Sequence, residues 1–353
     1  MGQYALIRAR RLAASGADVT LIGLSSSRAS VESESIDRGR LRVVRLRRPL
    51  YDRGRVGQRA SWTLVTNLRL VAAARRDIRD ADELLFTGSP PFLVFLLVPL
   101  NALLWRKRLT YRITDFYPEV LIADREGRPP LALRLLLRAT LALRRSVHRF
   151  EVLGQDQERR LLEIGIPADR IALAPDPSPV EIPEGTEPLP LGEPLRGKVV
   201  LLYSGNYGVA HDHDTFVAAY ARHHRVGSGR VALWLNAAGA KADRVESLLR
   251  AEGLPVHRTR PGPLEELPRL LVTPAAHLIT LRDSFVGYVL PSKVHGCIAS
   301  RRDVLFVGSA ASDVHRLCEA GLPSGAYFRA EVGDVEGVAR ALEVIADRAA
   351  GAR

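Results

Sequence analysis

The chain has 353 residues, of which 46% are hydrophobic and 25% charged, and its formal net charge is +12. This length favours two domains, and the composition excludes intrinsic disorder. The sequence has no zinc-finger spacing, RNA-recognition motif or basic region joined to heptads, so we expect no nucleic-acid partner. A charge of this size also fits an anionic membrane surface or a phosphorylated substrate.

Arginine carries almost all of the positive charge, because lysine occurs only at positions 107, 198, 241 and 293. The two cysteines, Cys297 and Cys318, have no Cys or His partner at metal-ligand spacing. Two such thiols form no disulfide framework and suggest a reducing compartment, so we expect free thiols in the core.

In chain order, the first half alternates helical and strand patterns. Apolar, β-rich runs predict strands at 19–24, 41–46, 83–88, 110–115 and 150–154. Helical periodicity predicts helices at 3–15, 62–80, 131–148 and 157–164. This alternation with short connections indicates a parallel sheet covered on both faces.

The start of the chain departs from that pattern. A parallel strand and a Gly-rich turn should precede the helix at 3–15, yet only Gly2 of such a turn is visible. We therefore expect the first strand to be missing, and we see no signal-peptide pattern. The apolar run at 90–105 contains three prolines and is shorter than the roughly 20 residues of a spanning helix, so it is expected to lie on the sheet or touch a membrane.

A stretch dense in Pro, Gly and Glu at 176–197 predicts a domain boundary. We expect an N-terminal Rossmann-like domain at 1–178, a linker at 179–197 and a second Rossmann-like domain at 198–353. In the second domain, strands are predicted at 199–204, 231–236, 256–259, 277–282, 304–308 and 326–329, and helices at 214–224, 242–252, 264–271, 292–299, 314–320 and 335–348. Ligands of such sheets bind outside the carboxyl ends of the strands, so the cleft between the domains is the expected site.

The first candidate site segment, 201–214, reads LLYSGNYGVAHDHD. A buried strand runs into Gly205, Asn206 and Gly208 before a helix starts. Glycines allow the backbone to approach a ligand, and a helix N-terminus presents free N–H groups that suit a diphosphate. The alternative is an ordinary strand-to-helix turn.

The second segment, 277–308, places Arg282 at the end of a strand, Gly287 in the following loop, and Pro291, Ser292 and Lys293 at a helix start. A cation in the first turn of a helix opposes the helix dipole, so Lys293 calls for a nearby anion. The alternative is a surface lysine in a capped turn. In both cases we expect an exposed side chain with few packing contacts.

Together these segments resemble the family 4 retaining glycosyltransferases of the GT-B fold, in particular the colanic-acid, O-antigen and exopolysaccharide type. The matching residues of the first segment are Tyr203, Ser204, Gly205, Asn206, Gly208, Ala210 and His211. Those of the second are Thr280, Leu281, Arg282, Gly287, Pro291, Ser292, Lys293, Gly296, Val304, Leu305 and Phe306. Upstream, 115–119 looks like the family's Asp-x-x-Pro-Glu stretch, and 171–177 looks like the strand before its linker. The order and spacing hold from about residue 2 to residue 342.

The resemblance implies two Rossmann-like domains and transfer of a sugar from a nucleotide-sugar donor with retention, without a metal or another cofactor. It implies that the donor, a UDP- or GDP-sugar, is bound by the second domain. The expected donor-binding residues are Gly205, Asn206, Gly208, His211, Arg282, Gly287, Ser292 and Lys293. Arg282 and Lys293 would stabilise the departing diphosphate. The sequence departs from the broader family at Gly296, where a ribose-binding Glu is usual, and at Asn206 and His211, where Arg and Lys are frequent.

On the acceptor side we expect Gly2, Asp115 and Glu119. Asp115 ends a predicted strand and is expected to orient the acceptor or act as a base. Glu119 follows one helical turn later. The alternative for both carboxylates is a cap for a helix that starts at Pro118.

The run 211–214, His-Asp-His-Asp, could be read as a metal site. The better reading is that its acidic residues cap and stabilise a helix N-terminus, so we expect no metal.

On a helix spanning 131–150, Arg134, Arg138, Arg145 and Arg149 would share one face with leucine-rich flanks. This arrangement is typical of an interfacial basic helix, although a solvated face over the core gives the same pattern. We expect a cytoplasmic enzyme, peripheral on the inner face of the membrane, with a glycan or polyprenyl-diphosphate-linked acceptor.

The sequence thus predicts a hexosyl- or N-acetylhexosaminyl-type glycosyltransferase of cell-surface polysaccharide biosynthesis. Two alternatives stay open: a sugar-nucleotide 2-epimerase of the same fold, and a non-catalytic homologue that binds nucleotide-sugar. A nicotinamide oxidoreductase is disfavoured, because no G-x-G-x-x-G follows a strand with an acidic residue about 20 positions on.

Overall fold

A computed structural model describes residues 2–25, 28–48 and 56–351. Internal contacts divide the chain into two compact units. Unit 1 comprises Met1–Ile122, Gly127–Leu153 and Leu161–Pro177, and unit 2 comprises Ala123–Glu126, Gly154–Arg160 and Ser178–Arg353.

The first part of unit 1 is a small three-stranded sheet with a helix before it and a helix after it. Its elements are α1 (Gln3–Ala14), β1 (Asp18–Ser25), β2 (Ser30–Ile36), β3 (Gly39–Arg47) and α2 (Val56–Asp80). The strands lie in the order β1-β3-β2, and α1 packs Ala9 and Ala13 onto Leu41 and Val43 of β3.

The strand β2 is a correction to the predicted all-parallel sheet, because it pairs antiparallel with β3. Ile36 lies opposite Gly39, which leaves a two-residue turn in which Asp37 has a φ of 48°. Aspartate tolerates this left-handed conformation better than most residues. The segment escaped prediction because its sequence, SVESESI, has no apolar face.

The rest of unit 1 is built on a four-stranded parallel sheet with the order β4-β5-β6-β7. Its strands are β4 (Glu83–Thr87), β5 (Arg108–Arg112), β6 (Arg149–Val152) and β7 (Ile171–Leu173). Its helices are α3 (Val94–Leu100), which continues as a π-helical turn at Asn101–Trp105, α4 (Glu119–Ala123) and α5 (Leu131–Arg145). The helix α6 (Gln155–Glu163) begins in unit 2, to which residues up to Arg160 belong, and ends in unit 1. Within the described ranges, no helix is long and apolar enough to cross a membrane.

Unit 2 is a six-stranded parallel sheet with helices between its strands. Its strands are β8 (Val199–Asn206), β9 (Val231–Ala238), β10 (Val256–Thr259), β11 (Ala276–Thr280), β12 (Asp303–Val307) and β13 (Tyr327–Ala330). Its helices are α7 (Asp214–Val226), α8 (Ala240–Ala251), α9 (Leu267–Val272), α10 (Lys293–Ala299), α11 (Asp313–Gly321) and α12 (Val335–Gly351).

The strand order β10-β9-β8-β11-β12-β13 reverses between β8 and β11. β8 pairs with β9 along its whole length, from Val199 to Asn206, whereas it pairs with β11 only at Leu201 and Leu202. Pairing between β8 and β11 therefore stops before their carboxyl ends. Such a topological switch point is where open α/β sheets bind ligands.

Candidate functional site

The carboxyl end of β8 lies at the switch point and contains a glycine with a positive φ. Gly205 has a φ of 120°, a conformation that side chains with a Cβ rarely adopt. A Cβ built on Gly205 would lie 3.9 Å from Cε of Lys293. The structure thus brings the first and second sequence segments together at this glycine.

Lys293 is the first residue of α10, but its amino group is buried rather than exposed. Its Nζ lies 3.2 Å from the centroid of the Tyr203 ring and has no hydrogen-bond partner among the described residues. Burial lowers the pKa of this amine to about 7, and Cys297 acts in the opposite direction with a smaller effect. The prediction of an exposed lysine with few packing contacts is therefore wrong. A helical pattern could not reveal it, because the side chain packs on a residue of β8.

Arg282 follows β11 and contacts the other end of the same loop. Its Nη1 donates to the carbonyl oxygen of Val209 at 3.3 Å and to Asp124 at 2.9 Å. Its backbone N–H donates to the carbonyl of Ala210 at 2.9 Å. Lys293 and Arg282 consequently flank the loop at 205–211, one near each end.

His211 is buried beside this loop, with 7% of its surface exposed. Its Nδ1 lies 2.6 Å from the carbonyl oxygen of Thr280. A carbonyl oxygen only accepts, so Nδ1 carries the proton and Nε2 presents a lone pair. Burial, followed by the charge of Lys293, holds the pKa of His211 well below its ordinary value. His211 is thus a neutral acceptor at neutral pH rather than a cation.

Lys241 is a residue of this region that sequence reasoning missed. It lies in the first turn of α8, and its Nζ donates to the carbonyl oxygen of Val209 at 3.2 Å. The turn before it approaches the loop closely, since a Cβ on Gly239 would lie 3.1 Å from Oδ1 of Asn206. The signal was present as a lysine placed just after a buried strand and a glycine, in a chain with only four lysines.

The remaining predicted donor-side residues have different surroundings. A Cβ on Gly208 would lie 3.3 Å from the amide nitrogen of Asn206, within the loop itself. Gly287 packs against α6, where a Cβ would fall 2.8 Å from Cγ of Arg160. Ser292 is the exposed N-cap residue of α10, and its side chain makes no capping hydrogen bond.

The run at 211–214 lies at the start of α7. His213 is the N-cap residue, Asp212 is buried and bonded to Thr215, and Asp214 is paired with His213 at 3.5 Å. The described residues contain no group of three or more His, Cys, Asp or Glu side chains arranged to hold a metal ion.

In unit 1, the two predicted acceptor-side carboxylates differ in their surroundings. Asp115 lies just beyond β5, and burial raises its pKa to about 6. Glu119 is 8% exposed and forms an ion pair with Arg144, which is fully buried. Arg144 also donates to the carbonyl of Tyr117 at 3.0 Å. Glu119 is therefore engaged in the interior of unit 1, whereas Gly2 is exposed just before α1.

The basic face predicted on residues 131–150 is shorter than expected. α5 ends at Arg145, and Arg149 begins β6, so Arg149 does not belong to the helical face. The helix α5 ends before Arg149 because this residue pairs with Thr110 of β5, as the first residue of β6 in the sheet. The exposed residues of α5 include two leucines, Leu131 at 66% and Leu135 at 52%.

No protein-family model matches the chain, and no curated protein matches it in sequence. Solved structures resemble it in fold. The E. coli trehalose-6-phosphate synthase bound with UDP-2-fluoro glucose has a TM-score of 0.63 and 11% identity, over 97% of this chain and 88% of that one. WaaG, a glycosyltransferase involved in lipopolysaccharide biosynthesis, has a TM-score of 0.61 and 14% identity, over 97% and 86% of the two chains.

HepE from Anabaena, in complex with UDP and glucose, has a TM-score of 0.59 and 12% identity, over 88% of this chain and 76% of that one. At these identities the similarity shows the fold. It confirms the predicted GT-B architecture of two Rossmann-like α/β domains.

Proposed function

We propose that this protein is a retaining, metal-independent glycosyltransferase of the family 4 type that transfers a sugar from a nucleotide-sugar donor. The observation that carries the proposal is Lys293, whose buried Nζ has no hydrogen-bond partner among the described residues and lies beside Gly205 at the switch point of unit 2. A buried ammonium without a partner is costly, and a bound anion would remove that cost. Proteins of the same fold hold UDP-2-fluoro glucose, or UDP and glucose.

The chemistry of sugar transfer suits this group of residues. When the bond between the anomeric carbon and the diphosphate breaks, negative charge accumulates on the leaving nucleoside diphosphate. Lys293 and Arg282 would stabilise that charge, and the backbone of Gly205 and Asn206 would contact the phosphates. Three cationic or N–H-bearing segments would then supply what a metal ion supplies elsewhere, so we assign no metal or other cofactor.

On the acceptor side we propose Asp115 as the residue that orients the acceptor hydroxyl or accepts its proton. A general base works best when its pKa lies near the pH at which the enzyme operates, and the pKa of Asp115, about 6, is close to neutral pH. Glu119 is a positioning residue at most, because its carboxylate is paired with Arg144 in the interior.

We further propose a glycan or polyprenyl-diphosphate-linked acceptor, and peripheral attachment to the inner face of the cell membrane in cell-surface polysaccharide biosynthesis. Exposed leucines alternate with exposed arginines on α5, and Leu103 and Leu104 of the π-helical turn are 75% and 66% exposed. Exposed leucines beside arginines are typical of interfacial helices. Co-sedimentation with vesicles should rise with the fraction of anionic lipid and fall with salt. Equal binding to neutral and anionic vesicles would contradict this part of the proposal.

The test of the activity is a thermal-shift screen of UDP- and GDP-sugars, followed by an assay for nucleotide release and for a glycosylated acceptor. We expect one donor to raise the unfolding temperature of the protein. Lys293→Ala should reduce kcat by about ten- to a hundredfold, because this factor corresponds to the free energy of one charge-assisted hydrogen bond in the transition state. Lys107→Ala is the control for the loss of a lysine away from this site, because Lys107 lies in unit 1 and donates to the backbone carbonyl of Arg79. Product analysis separates transfer from epimerisation of the donor, and a lack of turnover with every donor would indicate a binding protein.

A further inference from the structure

Two cations of unit 2 share one acceptor. The carbonyl oxygen of Val209 accepts from Nζ of Lys241 at 3.2 Å and from Nη1 of Arg282 at 3.3 Å. Two positive charges that meet on one uncharged oxygen repel each other. The repulsion contributes to lowering the pKa of Lys241, after the larger effect of burial.

Three carboxylates act on this pair of cations, but only one of them is bonded to either cation. Asp124 is bonded to Arg282 at 2.9 Å and its charge also acts on Lys241, as do the weaker effects of Asp214 and Asp212. Asp214 is mostly exposed to solvent, which screens its charge. One carboxylate in direct contact with Arg282 does not balance both cations, and Lys293 adds a third at the other end of the loop.

The placement of the lysines strengthens this reading. Two of the four lysines in the chain, Lys241 and Lys293, lie in the first turn of a helix that follows a strand of the same sheet. A cation in a first turn is disfavoured by the helix dipole. Both lysines also reach the loop at 205–211, Lys241 through Val209 and Lys293 through Gly205.

We propose that Lys241 is a third cation for the donor, contacting the diphosphate of the nucleotide-sugar together with Arg282 and Lys293. This inference rests on the proposed function, since it assigns a further residue to the same site. Lys241 would exchange its bond to the carbonyl of Val209 for a charge-assisted bond to a phosphate oxygen. Its contribution to binding should therefore grow with the number of phosphates on the ligand.

The experiment measures dissociation constants of UDP, UMP and uridine by calorimetry for the wild type, Lys241→Ala, Lys241→Arg and the control Lys107→Ala. If the wild type prefers guanine nucleotides, the series is GDP, GMP and guanosine. We expect Lys241→Ala to weaken the diphosphate about ten- to a hundredfold, the monophosphate less, and the nucleoside not at all. Lys241→Arg should restore most of the loss, and Lys107→Ala should behave as the wild type.

Each other outcome overturns a distinct claim. If the wild type binds no nucleotide, the proposed function falls, and this inference falls with it. If the wild type binds but Lys241→Ala binds UDP equally well, only the role of Lys241 is refuted. If Lys241→Ala weakens uridine as much as UDP, Lys241 holds the loop in place and does not contact phosphate.

Discussion

Replacing Lys293 by methionine should make the protein more stable and, at the same time, unable to hold its donor tightly. Methionine keeps the unbranched aliphatic chain and removes the ammonium. In the folded protein the pKa of this amine is about 7, against an ordinary value of 10.5. The unfolded chain therefore holds a proton between pH 7 and pH 10.5 that the folded chain releases, and stability rises with pH across this window.

The magnitude follows from the size of the shift. A difference between about 7 and 10.5 corresponds to at most about 5 kcal/mol of destabilisation at pH 7 and below. The contact with the Tyr203 ring offsets about 0.5–2 kcal/mol of this, because a cation over an aromatic face is attracted to it. Since the Lys293 side chain as a whole is partly exposed, we expect a net gain of about 1–3 kcal/mol for Lys293→Met at pH 7.

The assay is thermal unfolding of the wild type and Lys293→Met from pH 6.5 to pH 10.5, with Lys107→Met as the control. The advantage of Lys293→Met should shrink as the pH rises toward 10.5, and Lys107→Met should show no such trend. Donor binding by Lys293→Met, measured in parallel at pH 7, should be weakened. A less stable Lys293→Met, or an advantage that does not change with pH, would refute the argument from burial.

Three further predictions concern unit 1. Glu119→Gln should destabilise the protein by about 3–5 kcal/mol in urea unfolding, because it leaves the fully buried Arg144 without a charged partner. The double variant Glu119→Leu, Arg144→Met should lose less stability, and a single variant as stable as the wild type would show that the ion pair is unimportant. Asp115→Asn should raise stability by at most about 3 kcal/mol at pH 7 and by little below pH 4, because the raised pKa of about 6 lets the folded carboxyl bind a proton at pH values where the unfolded carboxyl is ionised. The same variant should transfer sugar more slowly, and unchanged transfer would show that Asp115 does not belong to the site. Reversing the charge of Arg134 and Arg138 together should weaken binding to anionic vesicles about thirtyfold or more, because each basic residue near the surface contributes about 1 kcal/mol. Unchanged co-sedimentation would show that this face of α5 is only solvated and does not bind the membrane.

Most of the fold was predictable because the buried strands of parallel sheets are apolar on both faces. The strand predicted at 256–259 matches β10 (Val256–Thr259), and the other strands of unit 2 were placed within two residues of at least one end. The missed strand, β2 (Ser30–Ile36), is held by its hairpin with β3 rather than by an apolar face, so no periodicity marks it. The helix at 131–148 was predicted too long because its apolar residues continue into β6 without a glycine or proline between them.

The candidate site was predictable to a smaller extent. Turn chemistry and position marked Gly205, Arg282 and Lys293, since each follows a strand or begins a helix. Sequence spacing carries no information on which side chains of separate strands meet. The contact of Lys293 with Tyr203, and the meeting of Lys241 with Arg282 on one carbonyl, arise only when β8, β9 and β11 lie side by side.

In both of these contacts a lysine of unit 2 lies against a partner that carries no charge. Elsewhere, arginines of unit 2 are paired with carboxylates, as Arg230 is with Asp347 and Arg258 with Asp243. Around the loop at 205–211, Lys293 is instead buried against a ring and Lys241 is directed at a neutral oxygen, which it shares with Arg282. Each such arrangement lowers the stability of the fold, and residues that break local rules in this way are expected where a ligand compensates. Because the ring, the carbonyl and the glycine lie where β8 and β11 separate, an anion at the switch point would compensate these charges, and we propose that the diphosphate of a sugar nucleotide is that anion.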